Sequence, residues 1–311
     1  MNAGFAPVDR CWVCGGASLA HWYEARYELS AFATQDPPLA AYSGQAIDIR
    51  RCAACGFSQP AALPALARYF DRIYDQHWAE DWVEAEHTAP YKDDIFADTL
   101  AALDARIPRA SQQNGGRTRR LLDVGAHAGR LMSLARAAGW DVEGIELNPR
   151  TAARAAVSTG AVVHHGNIFT VEPHAPFDAI TLIDVLEHIP EPRRALTRAA
   201  SWLRPGGAIT VKVPNGAAQA LKESVRAKVR PGYRPTLADN LVHINHFTPG
   251  SLRLALERSG FATVRVVAAA PEMPDGRLSR AVRRAVFFGA RLPGGVRTPL
   301  ALNLQAIATR T

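Results

Sequence analysis

Two groups of residues stand at spacings that could do chemistry. The first is a pair of cysteine knuckles, Cys11-Trp12-Val13-Cys14-Gly15 and Cys52-Ala53-Ala54-Cys55-Gly56. Each C-x-x-C-G knuckle offers two thiolates through a tight turn that glycine completes, and two knuckles together make the donor set of one tetrahedral zinc site. Four free thiols or a redox pair are the competing readings, which the pairing of knuckles disfavours. Residues 15–51 separate the knuckles, a longer gap than such ribbons usually have, so an excursion such as Leu29 to Tyr42 must sit inside the ribbon. With all four positions filled by protein, the metal keeps no open position, and its expected role is structural.

The second group begins where the apolar run Arg120-Leu121-Leu122-Asp123-Val124 breaks into Gly125-Ala126-His127-Ala128-Gly129. Leu131, Leu134, Ala135 and Ala138 follow at helical spacing, and Gly139 closes the segment. A strand, a tight turn and a helix are therefore predicted, with glycine allowing close approach and the turn presenting backbone N–H groups to a ligand. Such a turn alone says little. The next strand, Trp140 to Glu146, ends in a carboxylate about 20 residues beyond the glycines, where an open α/β sheet places an acceptor for ribose hydroxyls. His165-Gly166-Asn167-Ile168 then ends a third strand, and Phe177 to Ile183 forms a fourth that runs into Asp184-Val185-Leu186-Glu187-His188. Leu203-Arg204-Pro205-Gly206-Gly207 turns into a fifth, Ala208 to Pro214.

These signals, Asp123-x-Gly125-x-x-x-Gly129, Gly144-Ile145-Glu146, Asp184 to His188 and Leu203 to Gly207, stand in the order and spacing of the class I S-adenosylmethionine-dependent methyltransferases. The chain resembles that family over roughly residues 90 to 270. The resemblance implies an α/β fold with a Rossmann-like seven-stranded sheet, S-adenosylmethionine as cofactor and methyl transfer as the reaction. It implies that Asp123, Gly125, His127 and Gly129 lie at the methionine and ribose, Glu146 and Leu147 at the ribose hydroxyls, Asn167 and Ile168 at the adenine, and Asp184 and Val185 at the methionine portion. His127 departs from the pattern, which usually has glycine there; histidine tolerates positive φ better than most residues, so the turn is expected to survive.

In families that resemble this chain, a histidine at the place of His188 can act as general base, and an ordinary pKa near 6.5 suits that task. The plainer reading of His188 is a hydrogen bond within the loop before Pro190. His243 and His246 are the other catalytic candidates; no third ligand for a metal accompanies them in the sequence. Residues 61–107 read as helical and carry Tyr69, Phe70, Tyr74, Trp78, Trp82 and Tyr91. By resemblance, Tyr74 and Tyr91 are candidates for a lid over the cofactor, against the plainer expectation that the rings only pack helices onto the sheet.

Three regions follow: a zinc ribbon at 1–60, a helical lid and polar linker at 61–115, and the methyltransferase core at 116–311. An insertion at about 215–240 carries Lys222, Arg226, Lys228, Arg230 and Arg234, over the strand ends where ligands bind. It would suit an anionic acceptor, or it is a solvated helix face. Thr248 and Pro249 open a helix, and residues 262–269 and 300–309 read as the last two strands. Between them Leu278 to Arg291 forms an arginine-rich helix whose apolar side is expected to bury against the same domain, with a membrane-surface or partner helix as the alternative.

The net charge of +7 is mostly an arginine excess and does not by itself point to nucleic acid. No apolar run reaches about 18 residues, so no membrane span is expected. The first ten residues lack a secretory pattern, and a cytoplasmic location is expected by default. The leading expectation is O-methylation of a small molecule in natural-product or saccharide tailoring. The alternatives are an RNA methyltransferase, against which the fourth strand lacks an N-P-P-Y-type ending, and a non-catalytic binding protein that keeps the fold.

Overall fold

The structure, a computed structural model, describes residues 4–76, 90–107, 117–233, 243–272 and 277–311. Trp78, Trp82, Arg234 and most of the linker lie outside the described residues.

The front of the chain forms two small sheets. β1 (Phe5–Pro7) pairs with β5 (Ala62–Pro64), and β2 (Leu19–Arg26), β3 (Ala46–Cys52) and β4 (Ser58–Pro60) make an antiparallel three-stranded sheet. The predicted excursion lies between β2 and β3 and contains a one-turn helix α1 (Pro37–Ala40), capped by the Asp36 carboxylate. Helix was expected from residue 61 onward, yet 62–64 is a strand. Pro60 and Pro64 remove amide donors and push the residues before them into extended conformation. Helix begins only with α2 (Tyr69–Gln76) and resumes with α3 (Asp93–Arg106). Arg72 of α2 donates to both oxygens of Asp36, at 2.7 and 2.6 Å, which ties this helix to the excursion.

The remaining elements alternate as the apolar periodicities require: β6 (Arg119–Val124), α4 (Arg130–Ala137), β7 (Trp140–Glu146), α5 (Pro149–Thr159), β8 (Val162–His165), β9 (Phe177–Ile183), α6 (Pro192–Trp202) and β10 (Leu203–Pro214). They continue with α7 (Gly216–Val229), α8 (Pro249–Glu257), β11 (Phe261–Ala268), α9 (Arg277–Arg291) and β12 (Asn303–Arg310). The seven strands lie in the order β11-β12-β10-β9-β6-β7-β8, parallel except for β12. Helices cover both faces, which is why β6 and β9 are buried almost throughout. Strand order reverses between β6 and β9, and the crevice at their C-terminal ends is where such sheets bind ligands.

Helix ends follow their local signals. Asn148 caps α5 and Thr248 forms a capping box with Ser251 at α8. In α9 the expected burial holds for one side only: Val286 and Phe287 are partly covered and Ala290 is buried, but Val282 and Phe288 remain 56% and 66% exposed. Arg291 holds that helix by donating to Asp98 at 2.5 Å and to the carbonyl of Ala268. Among the described residues no helix is long and apolar enough to cross a membrane.

The front sheets share a core with the large sheet, since Cys11, Val13, Cys52 and Phe57 pack in one cluster with Leu122, Ile180 and Phe247. Phe57 and Phe247 meet with ring centroids 4.9 Å apart, and Ser58 and His246 exchange backbone hydrogen bonds of 3.1 and 2.9 Å. Phe247 is fully buried, so Phe247→Ala is expected to cost about 3–5 kcal/mol. Urea unfolding measures this directly; a loss under about 1 kcal/mol would show that the docking does not depend on this ring.

Candidate cofactor and acceptor site

The crevice between β6 and β9 is a cavity of about 250 Å³. Its floor is the turn after β6. Gly125 has φ +80°, and a Cβ there would come within 2.3 Å of Val185 Cγ2, so this position requires glycine for both conformation and room. His127 adopts φ +47°, so the left-handed conformation expected to be tolerated is present. The turn amides are spent within the protein: Gly125 and Ala126 donate to the Ile145 carbonyl, at 2.8 and 3.0 Å, and His127 N–H donates to Glu146 Oε2 at 2.8 Å. The expectation that these amides point at a ligand is therefore corrected. The loop instead grips the acidic end of β7.

Glu146 is held from its other side by the backbone N–H of Asn148, 2.9 Å from Oε1. Burial raises its pKa, and the hydrogen bonds from Asn148 and His127 oppose that rise. The Asn148 side chain accepts from Arg150 and Thr151 N–H groups and donates to the carbonyls of Tyr74 and Asp75. One asparagine thus caps α5, orients Glu146 and pins the end of α2 over the crevice. Asp123, also buried, accepts from Thr181 Oγ1 at 2.7 Å, and desolvation lifts its carboxyl to about 7. Burial drops His127 to about 3, so its imidazole is neutral. Asn167 donates to both oxygens of Asp71 on α2 at 3.1 Å, which closes the crevice on the β8 side.

At the other end, Asp184 also has a left-handed backbone, with φ +57°. Burial disfavours its charge, but the ammonium groups of Lys212 and Lys92 outweigh that and hold its carboxyl at about 2. Lys212, 2% exposed, donates to Asp184, and Lys92 lies 3.6 Å from it. Glu187 is 1% exposed, and among the described residues neither carboxyl oxygen has a hydrogen-bond partner. Desolvation, with the Asp184 charge behind it, pushes Glu187 up to about 8, so it is largely protonated at neutral pH. His188 sits beside it, with Nε2 4.0 Å from Glu187 Oε1, and its ring meets Tyr74 at 5.5 Å and His243 at 4.8 Å.

The structure brings together most residues named from sequence. Asp123, Gly125, His127, Glu146, Leu147, Asn167, Ile168, Asp184, Val185, His188 and Tyr74 line the one cavity. Gly129 begins α4 just below it, and a Cβ there would approach Ala155 to 3.1 Å. Tyr91 is not among the lining residues; its ring lies against Lys92. His243 and His246 stand behind His188, joined to each other through Gln219. Sequence reasoning named Phe70 only within the aromatic series, and it missed Asp71, Lys92 and Phe96 in the cavity wall and Lys212 beneath it. Only the predicted lid region hinted at the first four.

The four cysteine sulfurs converge, with Cys11 and Cys55 3.6 Å apart, Cys14 and Cys52 3.4 Å apart, and all four within 4.8 Å of one another. Sulfurs about 2.3 Å from a tetrahedral zinc lie about 3.8 Å apart, so the donor set fits one ion, whereas a disulfide needs about 2.05 Å. Both knuckles turn as expected, with Gly15 and Gly56 at φ +76° and +73°.

Comparison with known proteins agrees with this architecture. Ubiquinone biosynthesis O-methyltransferases of Aromatoleum aromaticum and Pectobacterium carotovorum are 33% and 32% identical over 98 and 110 residues. These matches take in 29% and 33% of this chain and 42% and 46% of those proteins, so the chain spans less than half the length of these curated relatives. A solved structure from Thermotoga maritima, described as a possible histamine N-methyltransferase, superposes with TM-score 0.50 at 15% identity, covering 78% of this chain and all of that one. A methyltransferase from Haloferax volcanii, solved in complex with the activator Trm112, gives TM-score 0.50 at 14% identity over 79% and 99% of the two chains. At these identities the structures speak to the fold alone. The family model described as a methyltransferase domain matches residues 95–266, more than half of the chain, and the chain belongs to that family.

Proposed function

We propose that this chain is an S-adenosylmethionine-dependent methyltransferase acting on an oxygen of a small molecule, with a structural zinc in its front module. The observation that carries the reading is the Glu146 carboxylate, fixed by two backbone N–H groups beside the strand reversal between β6 and β9. A carboxylate has about four lone-pair sites, so one held by these two amides can still accept from a pair of vicinal hydroxyls. Asn167 and Ile168 would flank the adenine, Gly125 would let the amino-acid portion approach the backbone, and Asp184 and Tyr74 would bound its far end. When bound, S-adenosylmethionine supplies an electrophilic methyl group on its sulfonium.

The protein's own part is to hold the nucleophile in line, exclude water and take a proton where the acceptor brings one. Tyr74 supports this, since its buried hydroxyl lies in the cavity wall and has no hydrogen-bond partner among the described residues. His188 is the group placed to accept the proton, beside a Glu187 whose own carboxyl is neutral. The relatives' names favour oxygen as the methylated atom, and the fit of the four thiols favours zinc.

Three measurements test these assignments. Glu146→Ala is expected to weaken S-adenosylmethionine binding at least tenfold by calorimetry, about 1.4 kcal/mol or more; unchanged affinity would overturn the ribose assignment. With methyl-labelled S-adenosylmethionine and a panel of phenols and hydroxylated sugars, His188→Ala is expected to slow transfer by about 100-fold or more while cofactor affinity stays intact. Equal rates would exclude His188 as base. Elemental analysis is expected to find one zinc per chain, lost in Cys52→Ser together with stability; a metal-free wild-type protein would refute the zinc assignment.

A further inference from the structure

We propose that Tyr23, His246 and Gln219 are positioning residues that fix His243 as a neutral imidazole carrying its proton on Nε2, so that it meets Glu187 and His188 as a hydrogen-bond donor and not as a base. The catalytic role of His188 rests on the methyltransferase reading; the proton arrangement of His243 does not.

A chain of three hydrogen bonds, each 3.0 Å long, carries this. The Tyr23 hydroxyl meets His246 Nε2, His246 Nδ1 meets Gln219 Oε1, and Gln219 Nε2 meets His243 Nδ1. A carboxamide oxygen only accepts and its NH₂ only donates, so each junction has one permitted direction. His246 must carry its proton on Nδ1 to donate to Gln219 Oε1, which leaves its Nε2 lone pair to accept from Tyr23. His243 must present a bare Nδ1 to the Gln219 NH₂, so its ring proton lies on Nε2. If His243 were poised as a base with a bare Nε2, its Nδ1–H would face another donor.

The surroundings keep both rings in that state. Burial lowers His246 to about 4, and burial, with His246 next, lowers His243 to about 4. The charges that bear on His243 come from Asp184, which favours protonation, and from Lys212 and Lys222, which oppose it. Trp22 and Tyr23 pack edge-on against the His246 ring, with centroids 5.6 and 5.9 Å away. A nitrogen of His243 lies within 4.8 Å of a Glu187 oxygen and a His188 nitrogen, which places the end of the chain at the proposed catalytic group. The relay also joins three separate parts of the protein: β2 of the front module, the basic helix α7, and the loop before α8.

Long-range 1H–15N spectra of the full chain, labelled with 15N-histidine, read the tautomers directly. The wild type is expected to show His243 protonated on Nε2 only and His246 on Nδ1 only at neutral pH. Gln219→Glu puts an acceptor opposite both rings and is expected to move the His243 proton to Nδ1 while His246 stays as it is. Tyr23→Phe keeps the ring but removes the donor, and is expected to raise the pH at which His246 takes a second proton. A wild-type His243 protonated on Nδ1, or a folded Gln219→Glu protein with His243 unchanged, would overturn the proposal. Should Gln219→Glu fail to fold, the wild-type spectrum and Tyr23→Phe still decide it. Calorimetry with S-adenosylmethionine on the same samples separates the two ideas: predicted tautomers without cofactor binding would sink the methyltransferase reading and leave the relay standing, and binding with the opposite tautomer would do the reverse.

Discussion

The arrangement of the site depends on one buried carboxylate. Glu146 ends β7 with each oxygen accepting a backbone N–H, one from the turn after β6 and one from the first residues of α5. A carboxylate taken out of water needs such partners to stay charged, and here the partners are the backbone at two neighbouring strand ends. The geometry is therefore mutual: the turn is shaped by the carboxylate, and the carboxylate is aimed by the turn. Asn148 extends the same constraint to α2, whose last carbonyls it binds. Displacing any one of the three would misplace the other two.

At the far end of the crevice the electrostatics divide two neighbouring acids. Asp184 keeps its charge because Lys212 is buried against it and Lys92 approaches from α3's N-terminal side. For Glu187, three residues on, burial and the charge of Asp184 outweigh the pull of Lys212 and Lys92, so it holds its proton. Such a division of paired carboxyls into a charged and a neutral member is a common basis for distinct chemical roles. It leaves His188 next to a neutral neighbour.

Much of this was legible in the amino-acid order because it rests on local signals. An apolar run broken by Gly125, a carboxylate closing the next run, and proline after Asn148 or Thr248 each state a strand end or helix start within a few residues. The cysteine knuckles are equally local. What escaped notice depends on long-range pairing. Lys212 sits in an apolar strand with nothing nearby to explain it, and its partner is 28 residues earlier. Tyr23 and His246 are 223 residues apart, and no periodicity connects them. The short strand β5 was missed for another reason: the aromatic pattern of the following helix was extended backward across Pro64, which forbids it.

The cysteine-bearing front is not an appendage. Val13 and Phe57 lie in the same hydrophobic cluster as Leu122 and Ile180, and Arg258 of the core donates to the carbonyl of Cys14 at 2.6 Å. A chain trimmed to residues 95–266 would keep the nucleotide-type crevice in name, yet it would leave Phe247 and its neighbours wetted on the side where Phe57 had been. Such a fragment would be sticky and self-associating rather than a smaller catalyst, and the cysteine-bearing front is better regarded as one wall of the shared hydrophobic core than as a separately portable tag.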